Sequence, residues 1–574
     1  MVANASPVQP ARKFVPQKFD PADWAQIEPL GEELLNRKLN SAADLQKWLL
    51  DFSELASVLD EYRARRYIDM SCHTDDAEIE KRYMHYVENI EPKFKPIDFA
   101  LKKKFVESPF RLALTEKKFQ ILSKHWEADV RLFRDENVPI ETELTKLTTE
   151  YDKTTGAMMV EFRGEQCTMP RLAKFLENPD RKLREEAWIA FTARRLADRE
   201  KIETIFGAML PLREKLAKNA GFRGYRDYIW LEKKRFDYTP EDCKAFADAI
   251  AQCCVPVMRV LEANRMRDLG LEKLRPWDLS VDPKGRAALE PFSATEIDRF
   301  VARTKSVFDR MSPALGEQFD SLRANRNLDL ESRKGKAPGG YQEMLPESRQ
   351  PFIFMNATGT QRDVETLLHE GGHAFHALAS AKEPLVFLRH APMEFCEVAS
   401  MSMELLAHDH LGEYYNDADR ARARRKHLEG IVTMLPWIAT IDQFQHWIYG
   451  NPGHSRDERT REWLRIRERF GPKLDWMGFE PQLEAAWQAQ LHLFHVPFYY
   501  VEYGIAQLGA LQLWLKARSD PSGALASYRA ALSLGGTRTL PELFAAAGIH
   551  FDFSEKTLRP LMSAVQEALE SLTG

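Results

Sequence analysis

His369 and His373 stand four residues apart in Thr366-Leu367-Leu368-His369-Glu370-Gly371-Gly372-His373-Ala374-Phe375-His376, with Glu370 directly after the first. On a helix that spacing puts both imidazoles on one face, their Cβ atoms about 5–6 Å apart. Two imidazoles so placed can bind one small tetrahedral cation. Glu370 then reaches the open position of the cation, where a carboxylate takes a proton from water and later passes it to a leaving amine. The chemistry this pattern points to is metal-assisted hydrolysis. The same pattern on an ordinary amphipathic helix would be two surface histidines and nothing more. Gly371 and Gly372 argue against that, because glycine inside a helix costs about 0.5–1 kcal/mol relative to alanine and calls for a close-packing reason.

A catalytic tetrahedral site needs a third protein ligand. Met393-Glu394-Phe395-Cys396-Glu397-Val398-Ala399-Ser400-Met401-Ser402-Met403-Glu404 reads as a second helix bearing acids among apolar residues. Buried acids are costly unless paired or metal-bound. Glu397 and Glu404 are seven apart, hence on nearly the same face. From spacing alone either Glu394 or Glu397 can serve as the ligand.

The elements that must hold these residues are mostly helical. Apolar residues recur at three- and four-residue spacing, as in the segment Thr295-Glu296-Ile297 to Met311. Ser293 to Glu296 has the form of a capping box, and Thr239-Pro240-Glu241-Asp242 combines a cap, an N1 proline and first-turn acids. The clearest strand is Pro351-Phe352-Ile353-Phe354-Met355-Asn356, which follows a Gly/Pro-rich loop and ends at Ala357-Thr358-Gly359. The expected fold is mainly α, with a small β-sheet beside the HExxH helix.

With 574 residues the chain exceeds the size of one core, so at least two lobes are expected. We divide it into a loose tail over 1–20, an N-terminal helical lobe over 21–204 and a catalytic region over 205–574. Hydrophobic residues are 44% and charged residues 29%, with net charge −5, an ordinary globular balance lacking the basic footprint of a nucleic-acid partner. Six scattered cysteines form no CxxC pair, and Cys253-Cys254 in an apolar stretch read as buried thiols. No run of 18 apolar residues implies a membrane span, and no secretory leader is visible. A cytoplasmic location is the expectation.

The blocks together resemble the oligoendopeptidase F family, relatives of thimet oligopeptidase. The resemblance rests on the HExxH segment after its apolar strand, on Glu397-Val398-Ala399-Ser400-Met401-Ser402-Met403-Glu404, and on His492-Leu493-Phe494-His495-Val496-Pro497-Phe498-Tyr499-Tyr500-Val501-Glu502-Tyr503. It covers roughly 205 to 560. It implies one zinc ion per chain held by His369, His373 and Glu397, with Glu370 as the general base and Glu404 hydrogen-bonded behind a ligand histidine. His376 matches a recurrent family histidine of structural or supporting role. Tyr500, Tyr503 and His492 are implied to steady the oxyanion of the tetrahedral intermediate. His492 stands one residue off the family distance, and His495 is its competitor. The strand ending at Asn356, with Gly359, is implied to bind an extended peptide by β-augmentation. The family architecture further implies two helical lobes enclosing a deep substrate channel, and short oligopeptides cut at internal bonds. The rival readings are a zinc exopeptidase, as aminopeptidase or carboxypeptidase, and an inert peptide-binding protein.

Overall fold

Helices dominate the computed structural model, which describes residues 12–337 and 339–572. Two units emerge, each assembled from three stretches of chain. One gathers Met1–Arg131, Glu290–Ala423 and Ala506–Phe551; the other gathers Leu132–Leu289, Arg424–Ile505 and Asp552–Gly574. The single division expected near residue 205 does not match these units, and residue 205 falls within the helix Arg199–Asn219. Composition along the chain cannot reveal a unit whose parts return from distant sequence.

In the first unit, a core of apolar side chains forms around the long helix Ala42–Cys72, including Trp48, Phe52, Phe105 and Trp126. Residues 1–11 of the expected loose tail lie outside the described residues, but 12–15 are held. Arg12 pairs with Glu347, the backbone N–H groups of Lys13, Phe14 and Val15 donate to Glu54, and Val15 is buried. The two carboxylates satisfy backbone and guanidinium donors that a loose tail would leave to water.

Five strands occur among the described residues: β1 (Met159–Phe162), β2 (Glu165–Thr168), β3 (Leu328–Glu331), β4 (Tyr341–Leu345) and β5 (Gln350–Ala357). β1 and β2 form an antiparallel hairpin in the second unit that the sequence reading missed. Its two-residue turn puts both Arg163 (φ 54°) and Gly164 (φ 81°) in the left-handed region, the conformation of a type I′ hairpin turn. The other sheet lies in the first unit with order β3-β5-β4. β3 runs parallel and β4 antiparallel to β5. β5 is the apolar strand anticipated from Pro351 to Asn356, and its residues 351–355 are all buried.

Of the two helix starts read from sequence, Thr239–Asp242 forms and proves to be a full capping box, with each side chain bonding the other's backbone N–H at the start of the helix Pro240–Asp268. Ser293–Glu296 does not. The helix there starts at Ile297 with Glu296 as its N-cap, and Ser293 Oγ instead meets Thr295 Oγ1. Among the described residues no helix is long and apolar enough to cross a membrane.

Candidate metal centre

The HExxH helix runs from Gln361 to Ser380. It starts sharply because Asp363 Oδ2 accepts from the N–H groups of Thr358 and Thr360 and from Thr360 Oγ1, while Thr360 Oγ1 accepts from Asp363 N–H. Gly359, at φ 97°, makes the entry possible, since a Cβ there would sit 2.5 Å from the Phe292 carbonyl. The close approach at Gly359 is therefore to its own chain.

The acidic helix Met393–Leu406 packs directly against the HExxH helix. Gly372 permits the contact: a Cβ there would lie 2.6 Å from both Ala399 O and Ser400 Cα. Gly371 faces the Phe308 ring, which a Cβ would meet at 2.9 Å. These are the close approaches that the helix-interior glycines called for. Tyr528 Oη donates to Ala399 O at 2.8 Å and further anchors the acidic helix.

This packing brings together His369, His373 and Glu397, whose donor atoms lie within 4.8 Å of one another. Glu397 Oε2 is 3.5 Å from His369 Nε2 and 3.7 Å from His373 Nε2. Glu394, the other carboxylate open to choice from spacing, is not in this group. Ser400 Oγ donates to Glu397 Oε2 at 3.1 Å and steadies it. Glu404 Oε1 lies 2.7 Å from His369 Nδ1, which turns Nε2 of that ring toward Glu397. Ser400, three residues beyond Glu397, escaped sequence reading because a serine one helical turn from an acid is unremarkable.

The donor set fits a zinc-class ion: two imidazoles and a carboxylate at ligand spacing, with the outer nitrogen of one imidazole fixed. Glu370, Glu397 and Glu404 crowd the two histidines and give the cluster negative charge that a cation would balance. Burial lowers the His369 imidazole, but its hydrogen bond to Glu404 and the charges of Glu404, Glu397 and Glu370 outweigh that and hold it at about 9. Burial and the neighbouring His369 push His373 well below the usual histidine range, so it is neutral. Burial raises the Glu370 carboxyl to about 7, with His369 opposing and Glu397 and Glu404 adding to the rise. The Gln342 backbone N–H donates to Glu370, which places the carboxylate against β4. His376 is buried in the same helix, edge-on to Phe395 and held at about 3 by burial and His390.

Asn356 donates its amide to the Ala337 and Gly339 carbonyls, at 2.7 and 3.0 Å, and so ties down the loop before β4. β5 is the middle strand of its sheet, and β4 is an edge. Since Gln342 N–H points away from β5 to Glu370, Met344, two residues on, presents its backbone on that same side.

In the second unit, His492, Tyr500 and Tyr503 form one aromatic group. His492 lies 4.8 Å from Tyr500 and 6.0 Å from Tyr503 between ring centroids. Gln490, unremarked in the sequence, organises it. Its Oε1 accepts from Trp437 Nε1 at 3.1 Å, and its Nε2 meets His492 Nδ1 at 2.6 Å. With Nδ1 accepting, the His492 proton sits on Nε2 and is available as a donor. Burial, His495 and Lys233 lower His492 to about 4, so it is neutral at pH 7. His495 turns instead to Asp152 Oδ1 at 2.8 Å.

Comparison with known proteins follows the same lines. A family model described as Peptidase family M3 matches residues 174–563, and one described as Peptidase M3 N-terminal domain matches 14–133. A solved structure of PZ peptidase A with an inhibitor superposes with TM-score 0.88 at 27% identity, over 97% of this chain and 99% of that one. An oligoendopeptidase F homologue of Borreliella burgdorferi is 21% identical over 63% of this chain and 61% of its own length. Oligopeptidase PepF of Bacillus subtilis is 24% identical over 41% of this chain and 36% of its own. The chain thus spans less than two thirds of these two curated relatives.

Proposed function

Because the chain belongs to peptidase family M3, we propose that it is a zinc-dependent endopeptidase cutting internal bonds of short oligopeptides, with one catalytic zinc ion held by His369, His373 and Glu397. The observation that supports this best is the meeting of those three side chains on two helices, with Glu370 on the turn between the histidines. When bound, the ion polarises the scissile carbonyl and lowers the pKa of a water molecule. Glu370, directly after His369 on the same helix, would accept a proton from the attacking water and return it to the leaving amine. Gln342 N–H keeps the carboxylate aimed. The open side of β4 offers backbone groups to an extended peptide by β-augmentation, a reading supported by its edge position and by Gln342 adjoining Glu370.

His492, Tyr500 and Tyr503 supply neutral donors to the oxyanion. Support comes from their mutual packing, from the His492 tautomer set by Gln490 and from the family pattern of a histidine followed by two tyrosines. A cytoplasmic location belongs to the same reading: all six cysteines are buried and none forms a disulfide, as suits a reducing compartment.

Glu370→Gln tests the base. It should retain stoichiometric zinc while turnover falls by about 10²–10⁴-fold. Near-normal hydrolysis by a zinc-loaded Glu370→Gln protein would remove Glu370 from that role.

A further inference from the structure

Besides the HExxH cluster, one other set of metal-ligating side chains converges among the described residues: Cys243, Asp442 and His446, with donor atoms all within 4.8 Å of one another. All three lie in the second unit. Asp442 and His446 are four apart on the helix Asp417–Gly450, so one face presents both. Cys243 comes from the first turn of the helix Pro240–Asp268, whose start is fixed by the Thr239–Asp242 box.

The group is enclosed. Cys243 and Asp442 are each 2% exposed, and the His446 side chain 12%. Asp442 Oδ2 accepts from Gln443 Nε2 at 3.3 Å, whereas Oδ1 is buried with no hydrogen-bond partner. His446 Nε2 is 3.4 Å from Asp442 Oδ2 but out of line for a hydrogen bond, and it too is buried without one. Two orphaned polar atoms side by side in a protein interior are rare, and each demands a reason.

We propose that Cys243, Asp442 and His446 bind a second divalent ion of the zinc class, distinct from the one at the HExxH cluster. Sulfur, imidazole nitrogen and carboxylate oxygen together suit zinc and disfavour magnesium or calcium, which take oxygen ligands. Entry of the ion converts the Cys243 thiol to a thiolate and sends its proton to solvent. A water or the second carboxylate oxygen completes a tetrahedron. Burial makes the site structural: the ion joins the two helices. It also stiffens what rests on them. The His446 ring packs 5.1 Å from Phe498, and the neighbouring Gln445 Oε1 accepts from Phe498 N–H at 2.6 Å. Phe498, held at φ 63°, sits within the stretch that bears His492, Tyr500 and Tyr503.

The inference is independent of the peptidase reading, and cobalt tests it on the full chain. Chelator-stripped protein is reloaded with Co²⁺, desalted, and examined for metal content and absorption. The wild type should hold two cobalt ions and show a near-ultraviolet thiolate-to-cobalt charge-transfer band. His369→Ala should lose one ion and keep the band, and Cys243→Ser should lose one ion and the band. One ion per wild-type chain with no such band would overturn the proposal, as would an unchanged band and two ions in Cys243→Ser. The wild-type spectrum decides even if Cys243→Ser fails to fold.

Discussion

The HExxH cluster and the Cys243–Asp442–His446 cluster share one construction: two ligands four apart on a helix, a third from another helix. Their surroundings differ. In the first, the histidine side chains keep 24% and 17% exposure, and an extra carboxylate, Glu370, stands beside them. In the second, Cys243 and Asp442 are each 2% exposed and the His446 side chain 12%. The lesson is that ligand geometry alone makes a binding site, whereas an accessible side with a proton carrier beside it makes a reactive one.

The largest expected effect that would sharpen this contrast is His373→Ala. It should abolish peptide cleavage, by at least about 10⁴-fold in kcat/KM, while the cobalt–thiolate band persists. Loss of the band along with activity would show that the two clusters are not separate. Next comes Glu404→Gln, which removes the charge behind His369. Catalytic-zinc affinity should weaken by about 10–100-fold in competition with a chromogenic chelator. An unchanged affinity would mean that Glu404 does not support the ligand.

Gly372→Ala comes third. Its methyl group would meet Ala399 O and Ser400 Cα, and the overpacking should cost about 1–3 kcal/mol in denaturant unfolding and loosen Glu397 from the histidines. Wild-type stability and affinity would show that the helices yield easily. The smallest effect concerns acid. Burial raises the Asp329 carboxyl on β3, but Arg333, Lys336 and Cys72 outweigh this and hold it well below the usual carboxylate range. A carboxyl depressed in the folded state stabilises fully above its unfolded pKa of about 3.9 and loses that contribution as pH falls further. Asp329→Asn should therefore be less stable by about 1–3 kcal/mol near neutral pH, with the gap closing below about pH 4. A gap independent of pH would assign the effect to packing instead.

Much of the first cluster was legible because its chemistry is local. HExxH encodes two ligands and a base within one turn, and Gly371 and Gly372 announced the close neighbours that Phe308 and Ala399 turned out to be. The strand at Pro351–Asn356 was readable from its unbroken apolar run. That it lies in the middle of a sheet was not, because its partners Leu328–Glu331 and Tyr341–Leu345 are short and mostly half-buried. Asn356 accordingly lies on the middle strand, and β4 is an edge. The hairpin at Arg163-Gly164 was hidden because arginine replaces the usual asparagine or aspartate in its turn. Cys243 and His446 are joined only by folding, and Asp442–His446 alone is an ordinary pair of polar residues on a helix.

The central claim is metal-dependent cleavage of internal bonds at the HExxH cluster. Its most direct test is an internally quenched peptide blocked at both ends, incubated with the protein as loaded, after chelation and after zinc is restored, with products identified by mass spectrometry. Cleavage should fall at an internal bond, be lost with chelator and return with zinc. Cleavage of free-ended peptides alone, or internal cleavage indifferent to chelation, would contradict the claim.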